Sequence, residues 1–221
     1  ELYICCMDHL REQILKLRED FTKGTLNESD VNKNPALEFE KWLAQALEAQ
    51  IPEIQAMTLN TVSPEGKPAS RVVYLREFEH DQYWFYGNYN SKKAKHMEKN
   101  PNIALSFFWP DLQRQIRVEG TVTKCHPNNS DEYFNNRPYE SKLGSWASDQ
   151  SGELSSREEL INKVEELKNK FTPDTIKRPD FWGGWIVQAN YYEFWQGRKS
   201  RLHDRIIYVQ ENNVWKIKRL A

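Results

Sequence analysis

Five side chains able to carry positive charge, Arg198, Lys199, Arg201, His203 and Arg205, fall within eight positions of the stretch "EFWQGRKSRLHDR". Cations this crowded repel one another unless something anionic or electron-rich lies among them. The adjacent Phe194 and Trp195 add flat apolar surface suited to a ring-shaped ligand. If the stretch runs on into a strand at "RIIYVQ", then Arg201, His203 and Arg205 share one face and alternate with Leu202 and Asp204. The competing reading is a solvated cationic hairpin tip. A second misplaced pair of charges lies in "YGNYNSKKAKHMEKN", where Asn90 or Ser91 is a natural helix N-cap and puts Lys92 and Lys93 in the first turn. Lysines there oppose the helix dipole, whereas a bound phosphate would turn free N–H groups, a capping hydroxyl and two ammonium groups into an anion site. Both lysines pointing into water is the alternative. The third is "DEYFNNRPYESKLGSW". Tyr133, Arg137 and Ser141 recur every four residues, so that Tyr133 and Arg137 share a face of a short helix ended by Pro138, and a second phosphate could be held by a phenol, a guanidinium and a hydroxyl. Taken alone, that pattern also fits an ordinary surface helix end.

The elements that would position these groups are legible from periodicity. Leu10, Ile14, Leu17 and Phe21 recur at helical spacing, and a second helix starts near Pro35 and carries Leu37, Trp42, Leu43, Ala46 and Leu47. From Ile54 onward the chain changes to short β-branched and aromatic runs: "IQAMTLNTVS", "ASRVVYLREF", "QYWFYGN", "NIALSFFW" and "RQIRVEGTVTKC". Turn signals such as "SPEGKP" separate them at hairpin distance, which predicts antiparallel pairing. A helix at about 91–99 interrupts the series. After a helix capped by Ser156 and Glu159, with Leu160, Val164 and Leu167 on one face, the strands "GWIVQANYYEFWQG", "RIIYVQ" and "VWKIKRL" follow. Six to eight strands with peripheral helices predict a mainly β, antiparallel barrel. It reads as one domain over 1–221, with a helical N-terminal segment of about 1–50.

Composition removes several function classes. The 221 residues carry 31 Lys plus Arg against 32 Asp plus Glu, so the broad electropositive surface of a general nucleic-acid binder is not expected. Eight Trp, ten Tyr and ten Phe make much of the apolar content aromatic. The N-terminal "ELYICCMDHL" lacks a basic leader, no run is long enough for a membrane span, and Cys5, Cys6 and Cys125 make no disulfide framework, so a cytoplasmic protein with reduced thiols is expected. Neither G-x-G-x-x-G, Walker A nor G-x-S-x-G occurs, and His9, His80, His96, His126 and His203 form no metal-ligand spacing.

In order along the chain, "RVVYLR", "NSKKAK", "RQIRVEG", "YFNNRP", "SDQS", "FWGGW" and "EFWQGRKSRLHDR" resemble the signature blocks of the pyridoxine/pyridoxamine 5′-phosphate oxidase family, over about 17–220. The resemblance implies an FMN-binding split β-barrel acting as a homodimer with active sites at the subunit interface. It implies oxidation of pyridoxine 5′-phosphate or pyridoxamine 5′-phosphate to pyridoxal 5′-phosphate, with O2 reduced to H2O2 and ammonia released from the amine. By position, it assigns Arg71, Val72, Val73, Tyr74, Leu75, Arg76, Tyr86, Gly87, Lys92, Lys93, Gln115, Gln150, Ser151, Trp195 and Arg205 to FMN. Tyr133, Arg137, Ser141 and Arg76 are assigned to the substrate phosphate, and Arg201 and His203 to the substrate ring as the catalytic pair. Arg18, Glu19, Asp20 and Phe21 match a segment that can fold over the site. No nucleic acid, membrane or metal is implied.

Three positions depart from the pattern: Arg76 stands where Lys is usual, Lys92 where Arg is usual, and Gly87 where Thr is common. The first two keep charge but change reach and fork geometry. Two other readings stay open at this point. One is a split-barrel flavin reductase using a nicotinamide donor, which has no need of the second phosphate site. The other is a protein that only binds FMN or pyridoxal phosphate.

Overall fold

The computed structural model describes residues 2–17, 20–212 and 214–221. Helix α1 (Leu2–Lys16) and helix α2 (Pro35–Glu48) precede strands β1 (Ala56–Val62), β2 (Pro68–Tyr74), β3 (Glu77–Glu79) and β4 (Gln82–Asn88). Helix α3 (Lys92–Lys99), strands β5 (Asn102–Trp109) and β6 (Arg114–Lys124), and helices α4 (Pro127–Asn135), α5 (Tyr139–Ala147) and α6 (Arg157–Lys170) follow. Strands β7 (Trp182–Gln196), β8 (Asp204–Glu211) and β9 (Val214–Leu220) come last. All ladders are antiparallel, in the order β2-β1-β5-β6-β7-β4-β3, with β8 on β7 and β9 on β8. The sheet curls into the expected split barrel.

One strand makes the curl possible. β7 is 15 residues long; its first half pairs with β4 and its second half with β8, while β6 runs beside both. Between those halves the β6–β7 register shifts at Glu119/Gly120. Gly120 is required there, because a Cβ would run into the carbonyl of Gln188. Helix α2 closes the barrel: Phe39 and Trp42 are fully or almost fully buried, with Phe39 edge-on to Phe78, Tyr83 and Phe107 and Trp42 edge-on to Phe194. Asn34 caps the helix by accepting from the Ala36 N–H at 2.8 Å. A smaller cluster of Phe134, Leu143, Ile176 and Trp182 lies under α4 and α5.

Several expectations are corrected. Leu17 and Phe21 lie beyond the end of α1, and Leu10, Ile14 and Leu17 are exposed, so of the expected stripe it is Phe21, outside the helix, that packs on the barrel. Leu37 and Leu47 are likewise on the outer side of α2. Arg201 and His203 do not belong to a strand, because β8 begins only at Asp204 and Lys199–Arg201 forms a tight 3-10 turn with Ser200 at φ 55° and Arg201 at φ 60°. Nor do Tyr133 and Arg137 share a helix: α4 stops at Asn135, and Pro138 is the N-cap residue of α5, which carries Ser141. Arg137 therefore projects from the junction of two helices.

Candidate functional site

A cleft of about 900 Å³ opens between edge strand β2, the end of β4 and the α4/α5 junction. Its wall brings together Arg71, Val72, Val73, Tyr74, Arg76, Tyr86, Gly87, Lys93, Tyr133, Arg137, Ser141 and Gln150, all named from the sequence. It also includes Asn136, Pro138, Gly144, Ser145 and Trp182, which were not. Among the described residues, four cations line it and no carboxylate does. Leu75 is the exception in the β2 run, its side chain being buried in the core.

Three of these cations are held by neutral hydrogen-bond partners, and Arg76 lies 5.1 Å from the Tyr74 ring centre. Lys93 Nζ donates to Gln150 Oε1 at 2.7 Å and Ser91 Oγ at 3.1 Å. Burial, with Arg71 nearby, lowers its pKa to about 8. Arg71 donates to the Leu59 carbonyl at 3.0 Å and Thr61 Oγ1 at 2.8 Å. Arg137 donates to Ser145 Oγ, which in turn donates to the Ser141 carbonyl, and its guanidinium lies 4.7 Å from the Trp182 ring centre. Burial lowers the pKa of both arginines below the usual arginine value. Beside them Tyr86 stacks on Tyr133 at 3.8 Å, with Trp182 nearly parallel to both. The result is an aromatic wall next to partly dehydrated cations.

The first turn of α3 separates this cleft from a smaller one lined by Lys92, Ser151 and Gln150. Ser91 caps the helix, accepting from the Ala94 N–H at 3.4 Å, and the Lys92 N–H donates to Ser151 Oγ at 3.2 Å. Gln150 and Ser151 both have positive φ, 29° and 69°, a conformation that costs of order 1 kcal/mol or more per non-glycine residue. Gly87 has a role the sequence did not suggest. A Cβ there would sit 3.1 Å from Lys93 Cε and Nζ, so the glycine leaves the space that the lysine occupies.

The remaining assigned residues are not in this cleft. Gln115, Trp195 and Arg205 form one row across β6, β7 and β8. His203 packs on Trp195 at 4.6 Å and on Phe21 at 5.5 Å between ring centres. Its Nδ1 accepts from the Arg198 N–H at 3.1 Å, which leaves the proton of the neutral ring on Nε2. Burial and then Arg201 lower its pKa, favouring that neutral form. Asp20, Phe21 and Arg201 line a separate cleft of about 900 Å³. Gln113 Oε1 ties this N-terminal segment down by accepting from the Thr22 and Lys23 N–H groups at 2.7 and 3.0 Å. Arg198 is not a solvated tip residue; it pairs with Asp204 at 2.7 Å. Arg18 and Glu19 lie outside the described residues. The residues assigned to one site from the sequence thus lie in separate places in the chain.

Residues 43–171 match the family model described as pyridoxamine 5′-phosphate oxidase. Residues 182–221 match the pyridoxine 5′-phosphate oxidase C-terminal dimerisation region. The pyridoxine/pyridoxamine 5′-phosphate oxidase of Cytophaga hutchinsonii is 46% identical over 96% of this chain and 100% of that protein. The enzyme of the same name from Actinobacillus succinogenes is 47% identical over 93% and 97%. Among solved structures, PhzG of Burkholderia lata in complex with tetrahydrophenazine-1-carboxylic acid superposes with a TM-score of 0.82 at 26% identity, covering 89% of this chain and 97% of that one. An FMN-binding, pyridoxamine 5′-phosphate oxidase-related protein of Nostoc punctiforme shares the fold, with a TM-score of 0.68 at 19% identity over 83% and 97%. In sequence along nearly the whole chain and in fold, the protein belongs to the pyridoxamine 5′-phosphate oxidase family.

Proposed function

We propose that the protein is an FMN-dependent oxidase that converts pyridoxine 5′-phosphate or pyridoxamine 5′-phosphate, with O2, to pyridoxal 5′-phosphate and H2O2, the amine also consuming water and releasing ammonia. The observation that carries this reading is the carboxylate-free cleft with four cations. Dehydrating Lys93, Arg71 and Arg137 without a counter-charge is unfavourable for the free protein and favourable once two phosphates enter. FMN fits this donor set, and when bound it supplies the ring that takes a hydride from the substrate C4′ and passes the electrons to O2.

The chain's own residues bind and orient. Arg71, Lys93 and Lys92, with Ser151 beside the open end of α3, hold the flavin phosphate. Arg137, Ser141, Tyr133 and Arg76 hold the substrate phosphate. Arg201 and the Nε2–H of His203 steer the substrate ring and stabilise negative charge at its 3-hydroxyl oxygen. Because the two groups of assigned residues lie apart in one chain, the reading is of a homodimer in which the Trp195–Arg205 segment of each copy completes the cleft of the other. The matched dimerisation region supports this. Anaerobic mixing of FMN-loaded protein with pyridoxamine 5′-phosphate should bleach the flavin band, and air should then yield peroxide and aldehyde. An unchanged spectrum with both B6 phosphates would overturn the reading.

Lys93 makes FMN affinity pH-dependent. Its pKa in the free protein is about 8, so it is charged below that pH and neutral above. A phosphate binds the charged form. Affinity is therefore full between about pH 7 and 8 and falls above that by up to about tenfold per pH unit, since the FMN phosphate is already dianionic over this range. Stability of the FMN-free protein runs the other way. The unfolded chain keeps this proton to about 10.5, so stability rises from pH 8 to 10.5. Fluorescence titrations of FMN between about pH 7 and 9.5 check this, and a flat profile would remove Lys93 from the phosphate.

A further inference from the structure

We infer that Glu193 is a positioning residue: it fixes the Arg205 guanidinium beside the Gln115–Trp195–Arg205 row and, by its charge, tunes how readily a flavin held there is reduced. The inference rests on the assignment of Arg205 to the flavin. Glu193 is only 3% exposed although it sits on a strand face populated by charged side chains rather than by the core. Both of its carboxylate oxygens are engaged. Oε1 accepts from Arg205 Nε at 2.8 Å, and Oε2 accepts from Arg117 at 3.0 Å and from the Tyr191 hydroxyl at 3.3 Å. Arg117 also pairs with Glu119 at 2.5 Å. Two guanidiniums and two carboxylates thus form a locally neutral cluster, and among the described residues only Glu193 bridges the two arginines.

Bond type and strand register make this more than packing. The Nε contact to the Glu193 carboxylate fixes the plane of the guanidinium, whose Nη1 also donates to the Ala221 oxygen at 2.9 Å, and of these two contacts only that to Glu193 is made by a side chain. Glu193 and Trp195 are alternate residues of β7, so they project from the same face, and Arg205 is the direct cross-strand neighbour of Trp195. By its bond to Nε, Glu193 therefore helps to set where the Arg205 head group points and, by its charge, how much positive charge that head group presents.

The two roles separate by substitution in the FMN-loaded protein. Glu193→Gln keeps shape and one acceptor but leaves the cluster with one uncompensated positive charge. Reduced flavin, which carries more negative charge, should gain relative to oxidised flavin, so the ratio of the two FMN affinities rises on the order of tenfold, the size of a buried unit charge acting at short range. The reduction potential of the bound flavin moves upward accordingly. Glu193→Asp restores the charge and should return the potential most of the way, whatever its effect on stability. Arg205→Ala is the control: it should shift the potential downward and weaken FMN binding. If Arg205→Ala changes neither, the flavin assignment of Arg205 fails and takes the inference with it. If Arg205→Ala has its effect while Glu193→Gln leaves the potential at the parent value, the inference alone is overturned.

Discussion

Arg201→Ala should lower turnover of pyridoxamine 5′-phosphate by about 10²–10³-fold, the range for removing one preorganised charge stabiliser, while the protein stays yellow and folded. The side chain is exposed, and no ion pair involves it among the described residues. Its loss should therefore cost little stability, as for most surface substitutions. Backbone geometry makes alanine the informative replacement. Arg201 already holds φ at 60°, and alanine suffers the same left-handed penalty, so the change removes the guanidinium without relaxing the turn. Glycine would relax it and confound the result. Steady-state kinetics and FMN content are the two readouts; loss of flavin colour would show that Arg201 belongs to the cofactor instead.

Arg137→Ala should act through binding. The guanidinium stacks on Trp182 and is half-buried with no carboxylate partner, so its strongest available interaction is with an incoming phosphate. A charge-assisted hydrogen bond contributes about 1.5–3 kcal/mol, which places the rise in KM at about 10–150-fold. At saturating substrate kcat should stay within a few-fold, because the phosphate takes no part in the bond changes at C4′ and its contacts hold ground state and transition state alike. Arg137→Lys should recover only part of the affinity, since an ammonium cannot both lie over Trp182 and reach Ser145 in a fixed fork. A flavin reductase fed by a nicotinamide would be indifferent to either change. Substrate-saturation curves for the three proteins separate the two activities.

Much of the fold was legible because its signals are local. Strand boundaries followed β-branched runs between turn residues, and the cap at Ser91 and the proline at the start of α2 marked helix ends. Long-range competition decided the rest. The spacing from Leu10 to Phe21 looks like one helix, yet Phe21 is taken by Trp195 and His203, and the chain leaves helical geometry before it. The four-residue rhythm of Tyr133, Arg137 and Ser141 survives a helix break because Pro138 restarts a helix and does not merely end one. Of the site, Lys92, Lys93 and Arg137 were readable from their local sequence setting, whereas Arg71 and Arg76 came only with the family resemblance. The neutral supports of Lys93, Ser91 and Gln150, were named as well, but those of Arg137 were not: Ser145 and Trp182 are unremarkable residues until folding sets them against it. Ser145 could have been found as the hydroxyl one turn beyond Ser141 on the same helix face. Glu193 offered no comparable signal, since an acidic residue in a strand normally reads as solvent-facing.

The central claim is that the Arg137 cleft of one copy and the Arg201 segment of another form a single oxidase site. Mixing Arg137→Ala and Arg201→Ala proteins under conditions that exchange subunits tests it most directly. Half of the resulting dimers would be mixed, each with one intact site of two, so activity should recover to about a quarter of the parent level at low substrate. Activity no greater than the average of the two unmixed variants, with mixed dimers demonstrated by mass, would contradict the claim.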